Sequence, residues 1–420
     1  MESAGLILAA GRGRRFWPFQ EIRSKCAFPI CNVPVVLRIA CQMRELGLQR
    51  ILVGVPAGSQ AQSLRAALQP APWAEVVEET EAAGTSRSVL NLAALSGDAT
   101  RFLVAYGDCV FSTADLRRTW SALGEHITAA ALCAELNEER PQDWICCLPG
   151  PEDTQGNVDC LSVEGHPRQG THRLAGVFAL DGAALTFLER VPPAMAHVPV
   201  GGMPAQEQEL ADGLAFLLEA GHRVACAIAQ DRCADIDKPW HILQATDAAL
   251  LELAAQMPSN GAIHPTAFIS DRASVNGPIV MQQNASIGDG VSISGPCWLG
   301  PRSKVLRGAI VGARTVIGPD SRVSDYCLIG EGSVVGAGCI VGHGAEFEGV
   351  MLDGAYLYHY CEIAGVVGTK VDIGAATVCG TLRFDDVDTV HRINGRREVP
   401  HTGANWAYFG DYSRTGVNVI

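Results

Sequence analysis

An apolar residue recurs every six positions across much of the second half of the chain. Glycine often follows it, as at Gly288, Gly300 and Gly312. Helices and ordinary strands have no reason to keep a period of six over so long a stretch. A repeat of this kind is typical of a parallel β-helix, in which stacked coils share one apolar interior. The fifteen positions that we predict to face this interior are Ile263, Ile269, Val275, Met281, Ile287, Ile293, Leu299, Val305, Val311, Ile317, Val323, Ile329, Val335, Val341 and Phe347.

The repeat is interrupted once. It breaks at Glu348 and resumes with a shift of two residues, at Val367 and Ile373. A segment that leaves the coil would produce such a shift. We therefore predict an insertion over residues 350–365 that loops out of the β-helix.

The amino-terminal stretch joins an apolar run to a basic, Gly-rich turn. Residues 6–10 are uninterrupted apolar residues, which predicts a strand buried on both faces. Gly11 and Gly13 allow the backbone to turn sharply and to approach a ligand closely. Backbone N–H groups in such a turn bind anions, and basic side chains complete a site for several phosphates. The spacing matches neither the P-loop nor the Gly-x-Gly-x-x-Gly fingerprint. The basic residues that follow the first glycine are Arg12, Arg14, Arg15, Arg23 and Lys25.

Strand-like and helix-like patterns alternate through the first 240 residues. This alternation predicts a mostly parallel sheet covered by helices. Ligands of such sheets bind beyond the carboxyl ends of the strands. Asp108 follows directly after a predicted strand at residues 101–106, where a carboxylate suits Mg²⁺ beside substrate phosphates. An aspartate there would equally suit the cap of the next helix.

Length and composition exclude several classes of protein. A chain of 420 residues exceeds what one hydrophobic core serves, so we expect two or more domains. No apolar run approaches the length of a membrane span, and the net charge of −13 argues against nucleic acid as a partner. The amino terminus has no signal-peptide features, so we expect a cytoplasmic protein. The 15 cysteines include no Cys-x-x-Cys pair, which favours buried reduced thiols and argues against zinc.

The order Gly-x-Gly-x-Arg-x-x-Pro at residues 11–18, followed by Lys25 and Pro29, resembles the signature of the sugar-1-phosphate nucleotidyltransferases. The resemblance implies a Rossmann-like α/β nucleotidyltransferase domain. It also implies that a sugar 1-phosphate attacks a nucleoside triphosphate and releases pyrophosphate, a reaction that depends on positioning and charge neutralisation. In this family pattern Arg15 would hold the leaving pyrophosphate and Lys25 the α-phosphate.

The same resemblance assigns the other site residues. Asp108 and Asp235 would hold Mg²⁺, with Asp237 as the alternative to the second. Gly107, Glu164 and Gly176 would contact the sugar. Glu79 stands where the uridylyl branch has a base-reading Gln, and because a carboxylate only accepts hydrogen bonds, the base stays open among UTP, dTTP, GTP and CTP. The nucleotide-binding positions are Leu8, Ala10, Gly11, Gly13, Glu79, Gly84 and Thr85.

The second half resembles the acetyltransferase half of bifunctional nucleotidyltransferase/acetyltransferases. Residues 357–361 and 373–385 carry this resemblance. It implies a left-handed β-helix with three short strands per coil, about five coils over the repeat, and acetyl-CoA as a second cofactor. His359 would be the general base that deprotonates an amino-sugar phosphate. Glu362 and Thr381 depart from the family pattern. The predicted domains are a nucleotidyltransferase domain at residues 1–239, a linker helix at 240–260 and the β-helix at 261–420.

Three functions are consistent with these patterns. The first is a Mg²⁺-dependent sugar-1-phosphate nucleotidyltransferase whose β-helix serves assembly, as a homotrimer or a multiple of it. The second is a bifunctional enzyme that also acetylates an amino-sugar phosphate. The third is a non-catalytic member that binds a nucleotide sugar and regulates a partner.

Overall fold

The computed structural model describes most of the chain as two compact units. The first comprises Met1–Gly13, Arg23–Phe28 and Pro34–Asp235, and the second Arg14–Ile22, Pro29–Val33 and Ile236–Ile420. Among the described residues, no helix is long and apolar enough to cross a membrane. The described residues are 2–11, 13, 15–79, 83–136, 144–153, 156, 158–164, 170–195, 207–393, 395–400, 402 and 404–420. Arg12 and Arg14 of the predicted phosphate site lie outside them.

The first unit is built on a nine-stranded sheet of order β5-β4-β1-β6-β11-β8-β12-β10-β9, in which β9 also pairs with β11. Strands β5, β4, β1 and β6 are parallel, as the alternation of strands and helices predicts. The strands of the first 235 residues are β1 Glu2–Leu8, β2 Pro29–Ile30, β3 Val33–Pro34, β4 Arg50–Pro56, β5 Ala74–Glu79, β6 Ala99–Tyr106, β7 Cys109–Val110, β8 Ala129–Glu135, β9 Cys146–Glu152, β10 Val158–Glu164, β11 His172–Asp181, β12 Val224–Ile228 and β13 Ala234–Asp235.

Helices cover both faces of β1. Successive residues of a strand point to opposite faces: Gly5 lies against Met43, whereas Leu6 shares a core cluster with Val89. The first strand begins and ends earlier than predicted, so Ala10 already belongs to the turn. The helices are α1 Val35–Glu45, α2 Ser59–Ala67, α3 Thr85–Ala94, α4 Thr113–Ala122, α5 Gly182–Leu188, α6 Leu210–Glu219 and α7 His241–Gln256, with a 3₁₀ turn at Lys25–Ala27.

The carboxyl-terminal part of the second unit is a parallel β-helix. Each strand pairs in parallel with the strand one coil later, as when Ile310 and Val311 face Leu328 and Ile329, 18 residues on. The strands are β14 Ala262–Ile263, β15 Phe268–Ile269, β16 Ser274–Asn276, β17 Ile279–Met281, β18 Ser286–Ile287, β19 Ser292–Ser294, β20 Cys297–Leu299, β21 Lys304–Val305, β22 Ile310–Val311, β23 Thr315–Ile317, β24 Arg322–Val323, β25 Leu328–Ile329, β26 Val334–Val335, β27 Ile340–Val341, β28 Glu346–Met351, β29 Tyr356–Leu357, β30 Glu362–Val367, β31 Asp372–Ile373 and β34 Ala407–Phe409; a hairpin of β32 His391–Ile393 and β33 Arg396–Glu398 precedes β34.

The predicted interior positions form the core of this β-helix. Twelve of the fifteen, from Met281 to Phe347, belong to one buried apolar cluster. Ile269 and Val275 pack against it, whereas Ile263, in the first coil, is 52% exposed. No earlier coil covers Ile263, which explains its exposure.

The predicted insertion over residues 350–365 is wrong. These residues stay in the coil, where β28 pairs with β25, β26 and β30. Strand β28 continues around a corner that earlier coils make with a turn, so Met351 pairs with Val335 across 16 residues instead of 18. Gly349, at φ +122°, allows this bend. The shift of two residues is therefore a shortened coil.

Candidate functional site

Two aspartates from distant parts of the chain meet beside the end of β6. Asp108 follows β6, and the short strands β7 and β13 pair antiparallel so that Asp235 faces Cys109. A carboxylate oxygen of each aspartate and the Sγ of Cys109 lie within 4.8 Å of one another. Burial raises the pKa of the Cys109 thiol well above its ordinary value, so the thiol stays protonated. Two carboxylates remain as ligands, and this donor set fits a hard divalent cation.

The alternative aspartate has a different neighbour. Asp237 forms an ion pair with Arg15 at 3.0 Å within the second unit. The structure therefore brings Asp235, and not Asp237, to Asp108. Arg15, predicted to hold pyrophosphate, is 47% exposed in this pair, and its role stays a prediction.

Lys25 lies directly against the carboxylate pair. Its ammonium group forms an ion pair with Asp108, and both side chains are largely buried. Gly13, at φ +56°, borders the Lys25 stem: a Cβ there would lie 3.3 Å from the Cδ and Cγ of Lys25. The glycine that the motif requires thus leaves room for the lysine that the motif requires.

A cavity of about 180 Å³ opens at this edge of the sheet. Its wall includes the carboxyl end of β1, the lysine and Asp108. Seven predicted site residues line it: Leu8, Ala10, Gly11, Lys25, Gly84, Thr85 and Asp108.

The amino terminus of α3 also faces the cavity. Gly84 precedes the helix at φ +96°, and a Cβ there would lie 2.3 Å from the backbone nitrogen of Gln208. Ser86 donates a backbone hydrogen bond to Gln208, and Gln208 donates one to Ala83. A helix amino terminus favours anions, because its first N–H groups have no partner in the helix. The fold therefore adds a phosphate-binding element beside Lys25.

Sequence reasoning missed the acidic residues on the other wall of the cavity. Glu207 and Glu209 line it, together with Tyr106. Glu209 accepts a hydrogen bond of 2.7 Å from the Thr85 hydroxyl. Burial raises the pKa of the Glu209 carboxyl above its ordinary value, and the nearby charge of Glu207 raises it further. No local motif marks these residues, since only the packing of residues 207–210 on the start of α3 brings them here.

Glu79, predicted to read the base, is buried behind the cavity wall. Its Oε2 accepts a hydrogen bond of 2.7 Å from Ser88, which does line the cavity. Its Oε1 lies over Gly54, where a Cβ would come within 2.1 Å of it. Burial raises the pKa of the Glu79 carboxyl above its ordinary value, more than hydrogen bonds from Ser88 and Asn91 lower it. Direct base reading by Glu79 stays a prediction.

Two predicted sugar-site glycines occur at close approaches of the backbone. Gly107 donates a hydrogen bond of 2.9 Å to the Leu8 carbonyl. Gly176 has φ +74°, and a Cβ there would lie 2.6 Å from the Sγ of Cys109. Glu164 ends β10, and its side chain lies outside the described part of the chain. The sugar contacts of all three stay predictions.

His359 lies on the outside of the β-helix, in the turn between β29 and β30. Its ring centroid is 6.5 Å from that of His343 and 6.4 Å from that of Tyr360. It is exposed, so a substrate could reach it. Its role as a base stays a prediction.

Comparisons with known proteins agree with this arrangement. A bifunctional sugar-1-phosphate nucleotidylyltransferase/acetyltransferase of Sulfurisphaera tokodaii is 24% identical over 98% of this chain and 91% of its own. The bifunctional protein GlmU of Methanococcus maripaludis is 26% identical over 99% of this chain and 89% of its own.

Among solved structures, a Bacillus anthracis protein described as a glucose-1-phosphate thymidylyltransferase superposes with a TM-score of 0.50 at 15% identity. The match covers 60% of this chain and 95% of that one, and it supports the fold. The predicted fold class, a Rossmann-like nucleotidyltransferase domain followed by a left-handed β-helix, is confirmed. The sequence profile of the MobA-like NTP transferase domain matches residues 5–271. The chain therefore belongs to the MobA-like NTP transferase domain family and is a nucleotidyltransferase.

Proposed function

We propose that the chain transfers a nucleotidyl group from a nucleoside triphosphate to a sugar 1-phosphate and releases pyrophosphate. The convergence of Asp108, Asp235 and Lys25 at one edge of the sheet carries the proposal. These groups suit a reaction in which positioning and charge neutralisation do most of the work. The cavity that Lys25 and Asp108 line, with the amino terminus of α3, is where the triphosphate binds.

Each group has one task in this proposal. Asp108 and Asp235 hold Mg²⁺, which offsets the charge on phosphate oxygens when bound. Lys25 exchanges its contact with Asp108 for the α-phosphate of the bound nucleotide. The backbone at the start of α3 orients another part of the nucleotide.

Pyrophosphate release tests this proposal. The purified chain is given UTP, dTTP, GTP or CTP with a panel of sugar 1-phosphates, and we expect turnover with one pairing. Lys25→Ala should abolish it, whereas Lys304→Ala, on the exposed surface of the β-helix, should not. Nucleotide-sugar binding without pyrophosphate release in any pairing would instead support the regulatory alternative.

Acetyl transfer is the second candidate function. The full-length similarity to proteins named as bifunctional favours it, as does the exposure of His359. We propose that acetyl-CoA donates to an amino-sugar phosphate and that His359 takes the proton of the amine. Thiol release from acetyl-CoA with glucosamine 1-phosphate should depend on His359 and survive His264→Ala. Equal rates for His359→Ala and the unaltered chain would exclude this role.

We also propose a homotrimer or a multiple of it. Ile310 and Leu328 are exposed and pair across adjacent coils, which places an apolar stripe on the β-helix. Light scattering should give a mass of three chains, or a multiple, and Ile310→Asp should lower it. A single-chain mass for the unaltered protein would refute assembly. The predicted cytoplasmic location stays a prediction.

A further inference from the structure

Four cysteines from four strands converge in the core of the first unit. Cys133 lies in β8, Cys147 in β9, Cys160 in β10 and Cys226 in β12. All four belong to one apolar cluster and are at most 6% exposed. Their strands are consecutive neighbours in the sheet, in the order β8-β12-β10-β9. The topology therefore gathers thiols that are far apart in the chain.

The sulfur atoms lie at distances that suit one metal ion. The Sγ atoms of Cys133, Cys147 and Cys226 are within 4.8 Å of one another. The Cys160 thiol contacts those of Cys147 and Cys226. A tetrahedral ion with metal–sulfur bonds of about 2.3 Å has sulfur–sulfur edges of about 3.8 Å. Small side-chain adjustments would thus bring all four sulfurs onto one ion.

We propose that Cys133, Cys147, Cys160 and Cys226 form a structural zinc site of the four-cysteine type. Structural zinc sites are closed, four-coordinate and rich in thiolate, and no described carboxylate or imidazole completes a competing set here. The site is separate from the Asp108–Asp235 pair and independent of the proposed reaction. It ties the hairpin of β9 and β10 to β8 and β12 of the main sheet.

Binding of zinc exchanges protons for the metal. Each thiol that coordinates Zn²⁺ loses one proton, so a complete site releases four protons and has a net charge of −2. In the metal-free chain, contact with the thiols of Cys133 and then Cys160 raises the pKa of Cys147 well above its ordinary value. Cys160 donates to the Ser162 carbonyl at 3.2 Å. Zinc therefore binds more weakly as the pH falls, because protons compete for the same sulfurs.

The absence of a Cys-x-x-Cys pair argues against zinc only if ligands must be close in sequence. Here strand pairing, and not a knuckle, supplies the geometry. Because the site is buried in the core, zinc must bind while the strands assemble.

Metal analysis of the full chain tests the proposal. The chain is refolded with Zn²⁺ and dialysed, and its zinc is measured by mass spectrometry. We expect one zinc per chain, released by a mercurial reagent as four thiols react. Cys147→Ser and Cys226→Ser should lose it, whereas Cys297→Ser and Cys339→Ser, buried in the β-helix, should keep it.

A second measurement needs no variant. With Co²⁺ in place of Zn²⁺, the unaltered chain should show sulfur-to-cobalt charge-transfer bands and the visible spectrum of a tetrahedral site. Refolded chain without zinc, or a Co²⁺ spectrum without sulfur ligation, would overturn the proposal. So would zinc retained by all four variants, or a disulfide between any two of the four cysteines.

Discussion

The ammonium group of Lys25 and the carboxylate of Asp108 form an ion pair with side chains only 13% and 15% exposed. A charge this far from water is costly unless it is paired. Lys25 therefore holds the place of a cation beside Asp108 until nucleotide and metal arrive. This relationship explains why a lysine of the phosphate motif and an aspartate of the metal pair occupy one site.

Removal of the lysine should separate metal affinity from turnover. In Lys25→Ala, Mg²⁺ no longer competes with an ammonium group for Asp108, so we expect tighter Mg²⁺ binding without nucleotide. The rate of pyrophosphate release should nevertheless fall by about 10²–10³-fold, as when a transition-state donor is removed. Calorimetry and a pyrophosphate assay measure the two effects, with Lys304→Ala as the control. Weaker Mg²⁺ binding in Lys25→Ala would contradict this account of the pair.

The two aspartates near the start of α7 should behave differently. Asp235→Asn removes a proposed ligand, so the Mg²⁺ concentration for half-maximal activity should rise by at least about 100-fold. Asp237→Asn breaks only the ion pair with Arg15 and should alter the KM for the triphosphate without changing the Mg²⁺ requirement. Magnesium titrations at fixed nucleotide measure this. Equal shifts in both variants would show that the ligand assignment is wrong.

Glu79 should make stability depend on pH. Its folded pKa lies above the ordinary value of 4.5 because of burial, so its contribution is fully present below that value and is lost as the pH rises through the folded pKa. Glu79→Gln removes the charged form. The variant should gain stability relative to the unaltered chain at pH 7 and lose that advantage below pH 4.5. Urea unfolding at a series of pH values measures the difference, and a constant difference would argue against a raised pKa.

The interior of the β-helix should tolerate truncation only at its open end. Ile317 is fully buried, so Ile317→Ala should cost about 2–5 kcal/mol of unfolding free energy. Ile263 is 52% exposed, so the same change there should cost less than about 0.5 kcal/mol. Urea unfolding followed by circular dichroism compares the two. Similar losses at both positions would mean that the first coil is covered.

The shortened coils should depend on glycine. Gly365 has φ +149°, and a Cβ there would lie 1.9 Å from the carbonyl oxygen of Ala407. Gly365→Ala should therefore destabilise the chain by more than about 1 kcal/mol. Gly380 has open space around its Cα, and Gly380→Ala is the matched control. Thermal unfolding measures both, and equal midpoints would show that the bend accommodates a side chain.

Local patterns sufficed for much of the architecture. The period of six determines which residues face the interior of a stacked coil, so Ile317 and Val323 were predictable as core. The same pattern failed at residues 350–365, because a phase shift of two is identical for an inserted loop and for a coil that lost a turn. Only the pairing of β28 with strands on both sides distinguishes them.

The amino-acid sequence by itself determined the elements that depend on neighbours in the chain: the glycine turn beside Lys25, the strand before Asp108 and the repeat of the β-helix. The tertiary structure decided what lies together across long separations. It placed Asp235 and not Asp237 at Asp108, brought Glu209 to the cavity and gathered four thiols between strands. Such encounters depend on strand order and register, and these follow from packing of the whole sheet, which no local spacing of residues encodes.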